Sequence, residues 1–171
     1  MINIINLLFS AILNLVSIYT ISVNDGNGKP IKFSDYSGKK TLIVNTASNG
    51  PDSQQYVDLE KLYQMHKDNL VIIAFPSNDF GNEPDENDEI FKRVVKSFNV
   101  HFIIAEKTLV SGQNKSYLYK WLSDESLNGM MNSTVKRDFY KYLIDGEGRL
   151  IGIFSNAVSP LSAELQSAIT N

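Results

Sequence analysis

The segment from Leu42 to Phe75, LIVNTASNGPDSQQYVDLEKLYQMHKDNLVIIAF, contains the strongest structural signals of the chain. Runs of apolar and β-branched residues at 42–45 and 70–75 bound it, and such runs are typical of buried strands. Between them, four apolar side chains recur at helical spacing: Tyr56, Leu59, Leu62 and Tyr63. The order strand, helix, strand predicts a right-handed crossover and parallel pairing of the two strands.

The start of this helix has a sequence signal of its own. The run 49–51, Asn-Gly-Pro, interrupts the first strand. Asp52 and Gln55 then have the spacing of a capping box, in which two side chains satisfy free N–H groups reciprocally. We therefore expect the helix to begin near Asp52.

Further strands are predicted on both sides of this unit. Alternation at 18–23, the turn sequence DGNG at 25–28 and the run 30–33 predict an N-terminal β-hairpin. The segments 139–144 and 149–154 predict a second antiparallel hairpin, joined by another glycine-rich turn.

The remaining elements are mostly helical. Helices are predicted at 87–98, at 116–122 and from 159, where Ser-Pro is a good start, to about 169. Residues 100–104 favour a short strand, and the polar segment 124–134 is expected to be a loop. The sum predicts an α/β fold, a central mixed sheet flanked by helices with an N-terminal β-hairpin.

Composition is ordinary for a globular protein of one domain. The chain has 171 residues, of which 43% are hydrophobic and 20% charged, so it can bury a proper core. Its net charge of −3 offers no basic footprint, and no nucleic-acid partner is expected. The sequence contains no cysteine, which excludes disulfides, thiolate metal ligands and cysteine redox chemistry within it.

The N-terminal segment is apolar. Residues 1–23 carry no charged side chain, and 1–17 have the length of a signal peptide, with the small Ser17 as a candidate cleavage point. The alternative is an extra helix packed on a domain that spans 18–171. The segment is too short and too polar for a stable membrane span. We expect export to the periplasm or beyond if the segment is a signal, and a cytoplasmic location otherwise.

Three stretches resemble the glutathione peroxidase family: IVNTAS at 43–48, FPSNDFG at 75–81 and YKWL at 119–122. The resemblance extends from about 18 to 168. It implies a thioredoxin-like architecture. It also implies a relation to enzymes that reduce hydroperoxides with a cysteine or selenocysteine.

The resemblance places the family's four reactive positions at residues that cannot do this chemistry. The redox position corresponds to Gly50, the glutamine to Asp79, and the tryptophan–asparagine pair to Arg137 and Asp138. Glycine has no nucleophile, and an ionised aspartate accepts hydrogen bonds where the family donates them. We therefore predict no functional catalytic residue, and no cofactor or metal site.

Two interpretations of the changed positions stay open. Asp79, Arg137 and Asp138 form a charge cluster below the former peroxide pocket, or they are solvated positions released from their task. A buried cluster would need complete pairing, because desolvating each charge costs several kcal/mol.

The sequence does not indicate another nucleophile or a metal site in place of the missing cysteine. Ser48, Ser53 and Ser77 lie near the motifs, but neither His66 nor His101 has an evident acid partner for a Ser-His-Asp site. His101 with Glu106 would be a weak metal-ligand set.

The sequence thus supports readings from different classes. The first is an inactive, monomeric binding or regulatory member of the family, whose unknown protein or small-molecule ligand occupies the former peroxide pocket. An anion at the helix start after Gly50 is one version of it. The alternative is a peroxidase acting in the oxidative-stress response. A third reading, a structural role near a membrane or in the periplasm, follows from the apolar N-terminus.

Overall fold

The computed structural model describes residues 16–171. Its strands are β1 (Ser22–Asn24), β2 (Pro30–Lys32), β3 (Lys40–Thr46), β4 (Leu70–Pro76), β5 (Ile103–Ile104), β6 (Lys141–Ile144) and β7 (Leu150–Phe154). Its α-helices are α1 (Gln55–His66), α2 (Asn87–Phe98), α3 (Tyr117–Ser123), α4 (Glu125–Asn128) and α5 (Ala163–Thr170). Two short 3-10 turns, Ile18–Thr20 and Phe33–Tyr36, flank the first two strands.

The central sheet is mixed, as predicted, with strand order β5-β4-β3-β6-β7. Strands β3 and β4 pair in parallel from Lys40 opposite Leu70 to Thr46 opposite Pro76. Strand β5 continues the parallel part, whereas β6 and β7 pair antiparallel. The predicted N-terminal hairpin is present as a separate two-stranded sheet.

Both faces of the central sheet are covered, which explains why its inner strands are continuously apolar. Leu42 and Val44 of β3 face the layer of α1, α2 and α5, where Tyr56 is also buried. Ile43 faces the other layer, which contains α3 and the N-terminal hairpin. Trp121 of α3 is buried there, and its Nε1 donates to the Val16 carbonyl at 2.5 Å.

Two predicted helix starts were wrong. Helix α1 begins at Gln55 after a turn, because Asp52 does not cap it. The Asp52 carboxylate instead accepts from Asn156 Nδ2 at 3.1 Å, and Gln55 Nε2 donates to the Asn156 carbonyl at 3.0 Å. Helix α5 begins at Ala163, where the Ser162 hydroxyl accepts from a backbone N–H, rather than at 159. In both places, tertiary contacts or a nearer cap override the local signal.

Two further segments differ from expectation. Residues 18–20 form a 3-10 turn instead of the first part of a strand. The segment expected to be a loop contains α4, which Asp124 caps by accepting from Ser126 N at 2.9 Å. The apolar segment 1–17 lies almost wholly outside the described residues, and from 16 onward no helix is long and apolar enough to cross a membrane.

Lys141 is a buried cation inside the sheet. Its Nζ donates to the carbonyls of Phe139 and Val158, each at 2.9 Å, and to that of Ser155 at 3.5 Å. It thereby connects β6 to the segment that follows β7. Burial lowers the pKa of Lys141 to about 8, and the charge of Asp52 opposes this shift.

The folded-state pKa of Lys141 lies below the unfolded value of about 10.4, so the unfolded chain binds more protons between these values. We expect this lysine to raise the free energy of unfolding by about 1–2 kcal/mol between about pH 8 and pH 9.5. Urea titrations of the wild type and Lys141→Met at several pH values will measure it. The rise of the free energy of unfolding with pH that Lys141 causes should be absent in the variant. An equal rise in both proteins would contradict the assignment.

Candidate functional site

Gly50 lies in the loop between β3 and α1, next to the loop that follows β4. A Cβ atom added to Gly50 would lie 3.1 Å from Asn82 Cβ and 3.2 Å from Asn82 Cγ. Such contacts are closer than ordinary van der Waals packing, so Asn82 occupies the space into which a side chain at position 50 would project. Sequence reasoning missed Asn82, which stands between two recognised motifs and carries no motif signal.

Asn82 is held in place from two sides. Its Nδ2 donates to Asp138 Oδ2 at 2.8 Å. Its backbone carbonyl accepts from Asn49 N at 3.3 Å. Gly50 and Asp138, two of the predicted positions, are thus brought together through a third residue.

Asp138 is a buried carboxylate with incomplete hydrogen bonding. The residue is 4% exposed, and its Oδ1 has no hydrogen-bond partner among residues 16–171. Burial raises the pKa of Asp138, as does the charge of Asp52, while the Asn82 hydrogen bond and Arg137 lower it. The carboxylate therefore prefers a proton more strongly than an exposed aspartate does.

A strained turn fixes the position of Asp138. Phe139 has a φ of +66°, a left-handed conformation that is costly for a bulky residue, about 1–3 kcal/mol. Asn45 of β3 holds it: Asn45 O accepts from Phe139 N at 2.6 Å, and its side chain donates to the Arg137 carbonyl and accepts from Tyr140 N, each at 3.0 Å. The end of β3 thus orients the residue that bonds Asn82.

The other two predicted positions lie apart from this arrangement. Asp79 Oδ2 accepts from the backbone N–H groups of Val110 and Ser111, at 2.7 and 2.8 Å, and so anchors a distant loop. Arg137 is exposed. Across residues 16–171, no ion pair joins Arg137 to Asp79 or Asp138, although the charge of Arg137 lowers the pKa of Asp138. The charge cluster, one of the two interpretations of these positions, is therefore not formed by ion pairs.

A buried ionic network fixes the two loops around Gly50. Glu83 is fully buried and accepts from both Ser48 N, at 2.5 Å, and Ser48 Oγ, at 2.9 Å. Arg93 of α2 donates to Ser48 Oγ at 2.9 Å and pairs with Glu83 at 3.3 Å and with Asp85. Burial raises the pKa of Glu83, and the bonds to Ser48 and the charge of Arg93 oppose this. Ser48 is consequently held in a structural bond rather than poised as a nucleophile.

Ser77 and His101 are also engaged elsewhere. Ser77 is buried, and its hydroxyl accepts from Asp79 N at 3.3 Å. His101 Nδ1 pairs with Glu60 at 2.9 Å, so His101 does have an acid partner, contrary to the sequence-based expectation. Glu106 instead accepts from Asn24 at 3.3 Å, and the His101–Glu106 pair is not formed. In the part of the chain that the structure describes, no group of three or more His, Asp or Glu side chains could hold a metal.

Comparison with known proteins identifies relatives of this chain. The family model described as Glutathione peroxidase matches residues 18–123. A "Probable phospholipid hydroperoxide glutathione peroxidase" of Mesembryanthemum crystallinum is 38% identical over 151 residues, covering 86% of this chain and 88% of the relative. The sequence similarity therefore includes most of the segments that surround Gly50.

Solved structures agree with the architecture. The crystal structure of Trgpx in apo form has a TM-score of 0.72 and 32% identity, and the match covers 91% of this chain and 94% of that one. A thioredoxin-family thiol:disulfide interchange protein from Chlorobium tepidum TLS has a TM-score of 0.62 at 13% identity, covering 91% and 97%. At that identity the likeness concerns the fold alone, and it confirms the expected thioredoxin-like architecture.

The two aspartates should respond oppositely to the same isosteric change. Asp138→Asn removes a buried charge and keeps an acceptor for Asn82, so we expect a gain of about 1 kcal/mol at neutral pH. Asp79→Asn weakens two charge-assisted bonds and should cost about 1 kcal/mol. Chemical denaturation at neutral pH measures both.

The same stability measurement at acid pH provides the control. The folded-state pKa of Asp138 is raised, so the cost of its charge appears only as pH rises above the unfolded value of about 3.9. The advantage of Asp138→Asn should therefore disappear near that pH. A destabilised Asp138→Asn variant at neutral pH would refute the assigned burial cost.

Proposed function

Because the chain belongs to the glutathione peroxidase family, we propose that it is a member without thiol peroxidase activity that serves in binding or regulation. The observation that carries this proposal is the contact between Gly50 and Asn82. At the position where the resemblance puts the redox residue there is no nucleophile, and a Cβ atom added there would lie only 3.1 Å from Asn82 Cβ, so a side chain would require Asn82 to shift.

The surrounding electrostatics support the same proposal. A thiolate is the reactive form of cysteine, and its stabilisation needs donors or positive charge. Here Asp138 lies beyond Asn82, and Asp79 has its carboxylate turned to the backbone of another loop. Both groups are acceptors at the positions where the family resemblance calls for donors.

Two further carboxylates near Gly50 bear on which ligand could bind there. Asp52 stands in the turn that leads into α1, and Asp85 accepts from Asn49 at 3.4 Å on the other side of Gly50. The Asp52 carboxylate opposes the attraction of a helix start for anions, whereas the charge of Asp85 is offset by its ion pair with Arg93. We therefore favour a neutral or cationic group, from a protein or a small molecule, over the anion that the sequence suggested.

The second candidate function is hydroperoxide reduction in the oxidative-stress response. The names of relatives such as the probable phospholipid hydroperoxide glutathione peroxidase favour it. With no cysteine in the chain, this activity would require a thiol supplied by a partner or by small-molecule thiols.

Export, a monomeric state and a domain boundary at 17 also remain proposals. Cleavage after Ser17 would remove the Val16 carbonyl that accepts from Trp121 Nε1. Mass spectrometry of the N-terminus of the protein from its native source would decide whether 1–17 are removed.

The proposal predicts no catalysed consumption of hydroperoxide by the purified chain, with either glutathione or thioredoxin as reductant. The rate should equal that of buffer with reductant alone, because no group in the chain completes a thiol cycle. Peroxide loss above that background, proportional to protein concentration, would establish the alternative function.

Position 50 provides the matched control. The comparison uses the Asp138→Asn protein, so that removing Asn82 leaves no buried charge without its hydrogen bond. In that protein, Gly50→Cys should lower the free energy of unfolding, because the new Cβ atom meets Asn82 at about 3 Å. Adding Asn82→Gly should restore stability and expose the thiol to alkylating reagents and peroxide. If the thiol is equally reactive and the protein equally stable with Asn82 present, the side chain does not block this position.

A further inference from the structure

The sequence Asn-Gly occurs three times in this chain, at 27–28, 49–50 and 128–129. It is the pair most prone to cyclise spontaneously, because glycine adds no side chain to hinder attack by its backbone nitrogen on the asparagine amide. Reaction requires a free backbone N–H and an asparagine side chain that can rotate toward it. The three pairs differ in both respects.

Two of the pairs have an engaged glycine nitrogen. Gly28 N donates to the Asp25 carbonyl at 2.9 Å, and Gly129 N donates to the Glu125 carbonyl at 2.8 Å. The Asn128 side chain is in addition 8% exposed and makes four hydrogen bonds. Cyclisation at either place must first break the bond that fixes the glycine nitrogen.

The pair at 49–50 differs in both respects. Among residues 16–171, Gly50 N has no hydrogen-bond acceptor. Asn49 is exposed, and its side chain makes a single long bond, from Nδ2 to Asp85 Oδ2 at 3.4 Å. The side chain can therefore leave this contact at little cost and turn toward the nitrogen of Gly50.

We propose that Asn49 is a site of spontaneous deamidation in the folded protein. Gly50 N loses its proton to solvent and attacks Asn49 Cγ. The new N–Cγ bond forms as the Cγ–Nδ2 bond breaks, and the amide group takes up one proton from water and leaves as ammonia. Water then opens the cyclic imide at either carbonyl, which leaves aspartate or isoaspartate at position 49.

The product changes the loops around Gly50. A carboxylate at position 49 lies beside Asp85 in place of a donor, and competes with it for Arg93. An isoaspartate also lengthens the backbone just before Gly50, against the closely packed Asn82. Deamidation should therefore loosen the contact between the loops that follow β3 and β4.

The test is peptide mapping of the full chain after incubation in mildly alkaline buffer, folded and in denaturant. The three pairs fall on different tryptic peptides, so each gain in mass from NH₂ to OH is assigned separately. Unfolded, all three should react at similar rates. In the folded chain, deamidation at Asn128 should be slower by on the order of a thousandfold, because it requires global unfolding. Deamidation at Asn49 should be slowed least of the three.

Two outcomes would overturn the proposal. They are protection of Asn49 as strong as that of Asn128, or faster reaction at Asn27 than at Asn49 in the folded chain. Asn49→Gln should abolish ammonia release and isoaspartate labelling at this peptide while leaving the other two peptides unchanged.

The structural consequence has its own readout. Asn49→Asp should lower the thermal midpoint relative to the wild type, and high salt should reduce the difference, because the effect is a like-charge contact near the surface. Asn27→Asp is the matched control, since it adds the same charge in the N-terminal hairpin. Equal midpoints for the two variants would show that position 49 is not coupled to the loop contact.

Discussion

The arrangement around Gly50 depends on the hydrogen bond from Asn82 Nδ2 to Asp138 Oδ2. It connects the loop after β4 to the strained turn before β6, across the space above a residue that has no side chain. Asn45 supplies the rigid end of this connection by holding Phe139 in its left-handed conformation.

The ionic network of Glu83 and Arg93 supplies the other end. It fixes the loop that carries Asn82 to Ser48 at the end of β3. The two loops around Gly50 are therefore held mainly by hydrogen bonds and ion pairs within the protein, while Asp138 Oδ1 lacks a partner among the described residues.

The sequence predicted most of the fold because the deciding signals were local. The apolar runs of β3 and β4 and the helical spacing between them are buried as expected, and the DGNG turn closes the first hairpin. The signal at Asp52 misled because its carboxylate bonds Asn156, about a hundred residues away in the chain. Periodicity and capping rules contain no information about such a partner.

The site was less predictable for the same reason. Family resemblance located Gly50 and Asp138, but Asn82 has no motif of its own, and its role arises from the absence of a side chain at position 50. The Asp79 carboxylate binds two backbone N–H groups in a loop some thirty residues later in the chain, and no sequence pattern indicates this contact. Residue types at single positions showed which groups the resemblance implies and this sequence lacks, whereas the contacts around those positions required the three-dimensional structure.

The most direct test of this account is a double-mutant cycle between positions 82 and 138. The free energy of unfolding would be measured for the wild type, Asn82→Ala, Asp138→Ala and the double variant. A buried, charge-assisted bond predicts a favourable coupling energy of about 1.5–3 kcal/mol. Additive effects, with a coupling below about 0.5 kcal/mol, would show that Asp138 does not hold Asn82 over Gly50.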